Sequence, residues 1–233
     1  MLPDRRALRL LSVGRWFPTF ILGLFLVCGL RGEGQARAQI PQNVVASSEA
    51  NGAQSVYAAD IDGDGDQDKL SASLVDGKIA WYENQIGEGG SGEEKFGDQQ
   101  VISETTLQPQ SVYAADLDGD GDKDVITVAE AELFGVDGEI AWYENKVGEN
   151  GADEDGFSAQ RVINDNQEEL KSVYAADLDG DGDKDVLSAA KGNPLDSTSK
   201  IAWYENQVDE NGADEDGFGA QKVISDEAKE AKS

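Results

Sequence analysis

Ser55-Val-Tyr-Ala-Ala-Asp-Ile-Asp-Gly-Asp-Gly-Asp-Gln-Asp68 returns as SVYAADLDGDGDKD at Ser111–Asp124 and again at Ser172–Asp185. The copies begin 56 and 61 residues apart, a spacing that belongs to a repeat architecture. Each is followed by a second shared stretch: KIAWYEN at Lys78–Asn84, EIAWYEN at Glu139–Asn145 and KIAWYEN at Lys200–Asn206. A Gly- and acid-rich run comes next, including ENGADEDG at 149–156 and 210–217, and then an F-x-x-Q-x-V-I segment. All six tyrosines fall within this pattern.

One unit reads as four short strands, Ser55–Ala59, Lys69–Leu74, Lys78–Glu83 and Gln99–Ser103, each rich in β-branched, aromatic or small residues and bounded by Gly, Asp or Asn. No window carries helical periodicity. Side chains alternate along a strand, so Ile79 and Trp81 face one way and Ala80 and Tyr82 the other. Both faces are apolar, and a sheet buried on both faces packs between neighbouring sheets. The expected fold is all-β: a β-propeller-like array of four-stranded antiparallel blades, three repeats forming an incomplete or open propeller. The Trp and Tyr pairs are expected to pack between blades.

The loop between the first two strands carries the chemistry. Carboxylates occupy positions 1, 3, 5, 7 and 9, with glycines at 4 and 6 where a sharp wrap is needed. Calcium takes six to eight oxygens at about 2.3–2.6 Å, and alternate side chains of a tight loop can converge on one centre. The expected ligands are Asp60, Asp62, Asp64 and Asp68 through side chains and Asp66 through its carbonyl, with water completing the shell. The second loop supplies Asp116, Asp118, Asp120, Asp122 and Asp124, and the third Asp177, Asp179, Asp181, Asp183 and Asp185, in the same roles. About three calcium ions are expected in total. Carboxylates about 4 Å apart repel by roughly 4 kcal/mol at an effective dielectric of 20, so four converging on one point need a cation. Magnesium asks for stricter octahedral geometry, and zinc or copper for His and Cys. An EF-hand would need flanking helices and Glu at position 12, where Ser71, Thr127 and Ser188 stand instead.

The D-x-D-x-D-G-x-x-D loop, with V-Y-A-A-D before it and I-A-W-Y-E-N after it, resembles the FG-GAP/VCBS repeat family, related to the integrin α-chain propeller. The resemblance covers residues 41–225. It implies the blade fold, a calcium role for the matched Asp positions, and extracellular adhesion or ligand binding. Integrin-type propellers close with seven blades, whereas three units leave a fragment, an open arc, or an assembly in which further copies complete a ring.

The remaining sequence sets the context. Arg5, Arg6, Arg9 and Arg15 precede an apolar stretch from Trp16 to Leu30, and Ala36-Arg37-Ala38 supplies a small-x-small site. Residues 1–38 are therefore expected to be a signal peptide cleaved near Ala38, and the chain secreted or at the cell surface. The alternative, an uncleaved membrane anchor, needs roughly 20 apolar residues, and Pro18, Gly23 and Gly29 interrupt this run. Residues 39–54 form a lead-in whose Gln42–Ala46 matches the fourth strand of a preceding unit. Repeats follow at 55–103, 111–164 and 172–225, and then a charged tail at 226–233. Cys28 is the only cysteine, so no disulfide is expected in the mature chain.

The net charge of −28 opposes nucleic-acid binding. With no His, no mature Cys and no recognisable nucleophile, the chain is not expected to be an enzyme. The expected function is a non-catalytic interaction or adhesion module for an extracellular protein or glycan. An acidic calcium-buffering matrix protein and a fragment of a larger hydrolase or lyase are the alternatives. The loops after the second strands, Val75–Gly77, Glu130–Gly138 and Lys191–Ser199, vary most and lie opposite the Asp loops on this topology.

Overall fold

The computed structural model describes residues 50–86, 96–130, 137–148, 156–167, 169–191, 199–208 and 217–226, all within one compact unit, Asn43–Ser233. The expected signal peptide, the Gln42–Ala46 strand, residues 131–136 and 192–198 of the variable loops, nearly all of both ENGADEDG runs and residues 227–233 of the tail lie outside the described residues.

Twelve strands and no helix appear among the described residues. They run β1 (Ala53–Ala59), β2 (Asp68–Ser73), β3 (Lys78–Tyr82), β4 (Gln100–Ser103), β5 (Pro109–Ala115), β6 (Asp124–Ala129), β7 (Gly138–Tyr143), β8 (Arg161–Gln167), β9 (Leu170–Ala176), β10 (Asp185–Ala190), β11 (Lys200–Tyr204) and β12 (Lys222–Ser225). Each consecutive four form one antiparallel sheet in chain order, giving three blades and no closed barrel. The repeated sequence thus folds into the repeated sheet that its turn residues and alternation predict.

Each first strand starts two residues before the repeated SVYAA. The ladder shifts register at Ala53/Ser55 and Pro109/Ser111, and likewise where Leu170 and Ser172 pair with Ala190 and Ala189. An extra residue in one strand makes such a bulge. Just before it the chain turns through a left-handed conformation at Gly52 (φ 71°), Gln108 (φ 48°) and Glu169 (φ 50°). Their carbonyls accept bonds from Leu74, Glu130 and Lys191 N–H at 2.9, 3.1 and 2.9 Å, which closes the far end of each β1–β2-type hairpin.

The blades pack face to face. Ile79, Trp81 and Ile102 of the first blade share a core with Val112, Ala114, Val125, Tyr143 and Phe157 of the second. On its opposite face the second blade repeats the arrangement, with Ile140, Trp142 and Ile163 against Val173, Ala175, Val186, Tyr204 and Phe218 of the third. The expected alternation therefore holds: the Trp face of one blade meets the Tyr face of the next. The first strands β1, β5 and β9 stand side by side, with ring centroids 4.5 Å apart for Tyr57–Tyr113 and 4.7 Å for Tyr113–Tyr174.

Candidate metal centre

Each Asp loop links the first and second strands of a blade and begins where the first strand ends. Its two glycines both take positive φ, Gly63 at 77° and Gly65 at 99° in the first loop, a conformation that costs an L side chain energy. Successive carboxylates cap the backbone as the chain winds. Asp60 Oδ1 accepts from Gly63 N–H at 2.9 Å, Asp62 Oδ1 from Asp64 N–H at 3.2 Å, and Asp64 Oδ1 from Asp66 N–H at 2.8 Å. The other loops wind alike, with Asp116 accepting from Gly119 and Asp177 from Gly180.

The winding brings positions 1, 3 and 9 together. Ligand atoms of Asp60, Asp62 and Asp68 lie within 4.8 Å of one another, as do those of Asp116, Asp118 and Asp124, and those of Asp177, Asp179 and Asp185. These three carboxylate clusters can hold a metal ion. Side chains at positions 5 and 7, Asp64 and Asp66 with Asp120, Asp122, Asp181 and Asp183, are not in the groups. Those at position 5 accept the N–H two residues on, as those at position 3 do, at 2.8 Å in the first loop and 2.9 Å in the others.

Position 9 is the anchor. Asp68, Asp124 and Asp185 are fully buried, which a carboxylate tolerates only with strong partners. Oδ2 of Asp68 accepts from Ile61 N–H at 2.8 Å and Oδ1 from Asn84 N–H at 2.8 Å. Asp124 is held identically by Leu117 and Asn145, and Asp185 by Leu178 and Asn206. One carboxylate thereby ties the start of the loop to the end of the third strand.

The asparagines Asn84, Asn145 and Asn206 close IAWYEN, and sequence reasoning gave them no role. Asn145 Nδ2 donates to the Ile61 carbonyl of the preceding blade at 2.8 Å, and Asn206 Nδ2 to the Leu117 carbonyl at 2.7 Å. Ile61 and Leu117 are position 2 of their loops. Each of these loops is thus bonded through its own backbone to the next blade. The repeated Asn was the available signal, but its partners lie 84 and 89 residues away.

Burial and like charge act on these acids in the same direction. Burial, opposed by the Asn145 and Leu117 N–H groups and reinforced by Asp118 and Asp120, pushes Asp124 up to about 7. Burial first, then Asp120 and Glu144, raises Asp118 to about 6. Asp62 and Asp68 are raised as well, mainly by burial. A raised carboxyl holds its proton more tightly folded than unfolded, where it titrates near 3.9. Without metal, the stability these groups contribute is therefore fully present below about pH 4 and is lost as pH rises to about 7. Calorimetry in calcium-free buffer should give a lower melting temperature at pH 7.5 than at pH 5.5; a rise with pH would contradict this.

No curated protein matches the sequence. Residues 60–127, from the first residue of the first Asp loop to the strand beyond the second, match the family model of the FG-GAP-like repeat. Over the stretch that holds its first two Asp loops, the chain resembles an FG-GAP-like repeat protein.

Proposed function

We propose that the chain is a secreted or cell-surface, non-catalytic interaction module in which one calcium ion per Asp loop stiffens the array of blades. The observation that carries this reading is the threefold recurrence of one carboxylate cluster, each built on a buried Asp hydrogen-bonded to the end of the third strand. Calcium suits the donor set, which is oxygen only, and would be held by positions 1, 3 and 9. The position 5 carboxylate and the position 7 carbonyl then complete its shell with water. The ion would supply charge neutralisation, offsetting the mutual repulsion of carboxylates brought together in one loop.

Three further points support the wider reading. FG-GAP-like repeats are typical of extracellular proteins, and residues 1–38 have the pattern of an export signal. The described residues hold no His, Cys or recognisable nucleophile for acyl transfer. An extracellular protein or glycan is the partner this reading calls for.

The test is a loop-specific loss. Asp116→Ala combined with Asp118→Ala removes two of the three grouped carboxylates from the second loop and leaves the buried Asp124 in place. Equilibrium dialysis should show this variant binding one calcium ion fewer than the parent chain. An unchanged count would sink the assignment of that loop.

A further inference from the structure

Among the described residues, the Trp face of one blade meets the Tyr face of the next at both junctions, which leaves one unmatched face of each kind. The first blade has an uncovered Tyr face. Val56 is 75% exposed, whereas its counterparts Val112 and Val173 are 3% and 5% exposed inside the two interblade cores. Ala58 is exposed where Ala114 and Ala175 are buried. A groove of about 610 Å³ runs along this face, lined by Ala53, Val56, Tyr57, Ala58 and Tyr82 among others.

The third blade has an uncovered Trp face. Ile224 is 55% exposed, while Ile102 and Ile163 at the same position are 6% and 8% exposed. Trp203 and Ile201 are only half-buried, although Trp142 and Ile140 are sealed completely. Leu178 is 43% exposed against 3% for both Ile61 and Leu117.

Polar groups at the two ends match as well. Asn145 and Asn206 each donate one N–H within their own blade and one to the blade before. Asn84 makes only the first of these among the described residues, to the Gln67 carbonyl at 3.0 Å. The carbonyl that a preceding blade would offer corresponds to that of Leu178, at the other end of the array. Position for position, the Trp face of the third blade is the complement of the Tyr face of the first.

We infer that the chain associates head to tail with a second copy of itself, seating Ile201, Trp203, Ile224 and Leu178 of one copy on the exposed Val56 and Ala58 of the other. The contact continues the interface already formed twice within each chain, including an Asn84 side-chain bond to the partner's Leu178 carbonyl. One charged residue falls on the first blade's face, Lys69 where Val125 and Val186 stand elsewhere, and its Nζ lies over the Phe96 ring at 2.9 Å. Two copies present six blades, within the four to eight that close a propeller ring. A face that meets a different face generates either a ring or an open filament, depending on its rotation. The inference rests on exposure and repeat register and does not require metal.

Sedimentation velocity of the full chain at about 0.15 M salt, where charge repulsion is screened beyond roughly 8 Å, tests it. The parent chain should sediment at the mass of two or more copies. Val56→Arg and Ile224→Arg alter exposed side chains on opposite end faces, so each should fold and each alone should be monomeric. Mixed together they should recover a two-chain species, because one intact pair of faces remains. Asn84→Ala should weaken association by roughly tenfold, the loss of one buried hydrogen bond at each of two junctions. A monomeric parent chain would overturn the inference. So would association that survives both Arg variants, as expected of contacts through residues 16–30, or a mixture that stays monomeric.

Discussion

Withdrawing calcium should lower the melting temperature of the chain by roughly 10 °C. Calcium at about ten times the dissociation constant of a site stabilises the folded state by roughly 1.4 kcal/mol, and three sites together by about 4 kcal/mol. In a domain of this size each kcal/mol moves the midpoint by about 2–4 °C. The coupling has a structural route. The loop carbonyls of Ile61 and Leu117 are bonded to the following blade, and the N–H of the same residue is bonded to the position 9 carboxylate. Ordering a loop therefore orders an interface. Thermal scans by circular dichroism, with calcium and with chelator, measure the shift, and coincident curves would remove any stabilising role for the ion. Magnesium at the same concentration should give less than half the shift, because it dehydrates reluctantly and demands octahedral geometry.

Trp142→Ala should cost about 3–5 kcal/mol, the range for deleting a large buried aromatic. Trp142 is completely buried between the second and third blades. It stands edge-on to Phe218 at 6.2 Å, and the Arg161 guanidinium lies 4.7 Å from its ring centre. Removing the indole leaves a cavity that two hydrogen-bonded sheets cannot close. The equivalent change in the last blade, Trp203→Ala, should cost less than half as much. That ring is half-buried, meets no further blade among the described residues, and has the Lys222 Nζ 4.3 Å from its centre. Urea denaturation of both variants at low protein concentration gives the comparison from the midpoints. Equal losses would contradict the asymmetry, because they would mean that the third blade is buried as deeply as the second.

The same contrast shows what could be read from the sequence. Alternation in I-A-W-Y placed both faces of a blade in cores, which holds for the second blade and for one face each of the first and third, and Gly and Asp punctuation placed the strands to within about two residues. The Asp spacing led to an expectation of four converging side chains per loop, at positions 1, 3, 5 and 9, and the fold groups those at 1, 3 and 9. Three features were less legible. The left-handed turns at Gln108 and Glu169 use residues with no special claim to positive φ, so composition gives no warning of them. Asp64, Asp120 and Asp181 have the same residue type and spacing as Asp62, Asp118 and Asp179 and likewise accept the N–H two residues on, yet they lie outside the convergent groups, so spacing alone does not separate the two positions. The double role of Asn145 and Asn206 depends on carbonyls in another blade, which only the packed array brings within reach.

The position 9 aspartates give the centre its character. A buried carboxylate satisfied by two backbone N–H groups is organised before any ion arrives, while positions 1 and 3 lie nearer the surface and are free to close on it. The cost of that organisation is the upward displacement of Asp124 and Asp118, which a divalent cation would reverse.

Calorimetric titration of the chain with calcium at pH 7.5 tests the central claim most directly. The account predicts saturable binding of three ions per chain, falling to two when Asp116 and Asp118 are both replaced by Ala. No saturable heat, or a dozen weak and equivalent sites indifferent to that substitution, would contradict it.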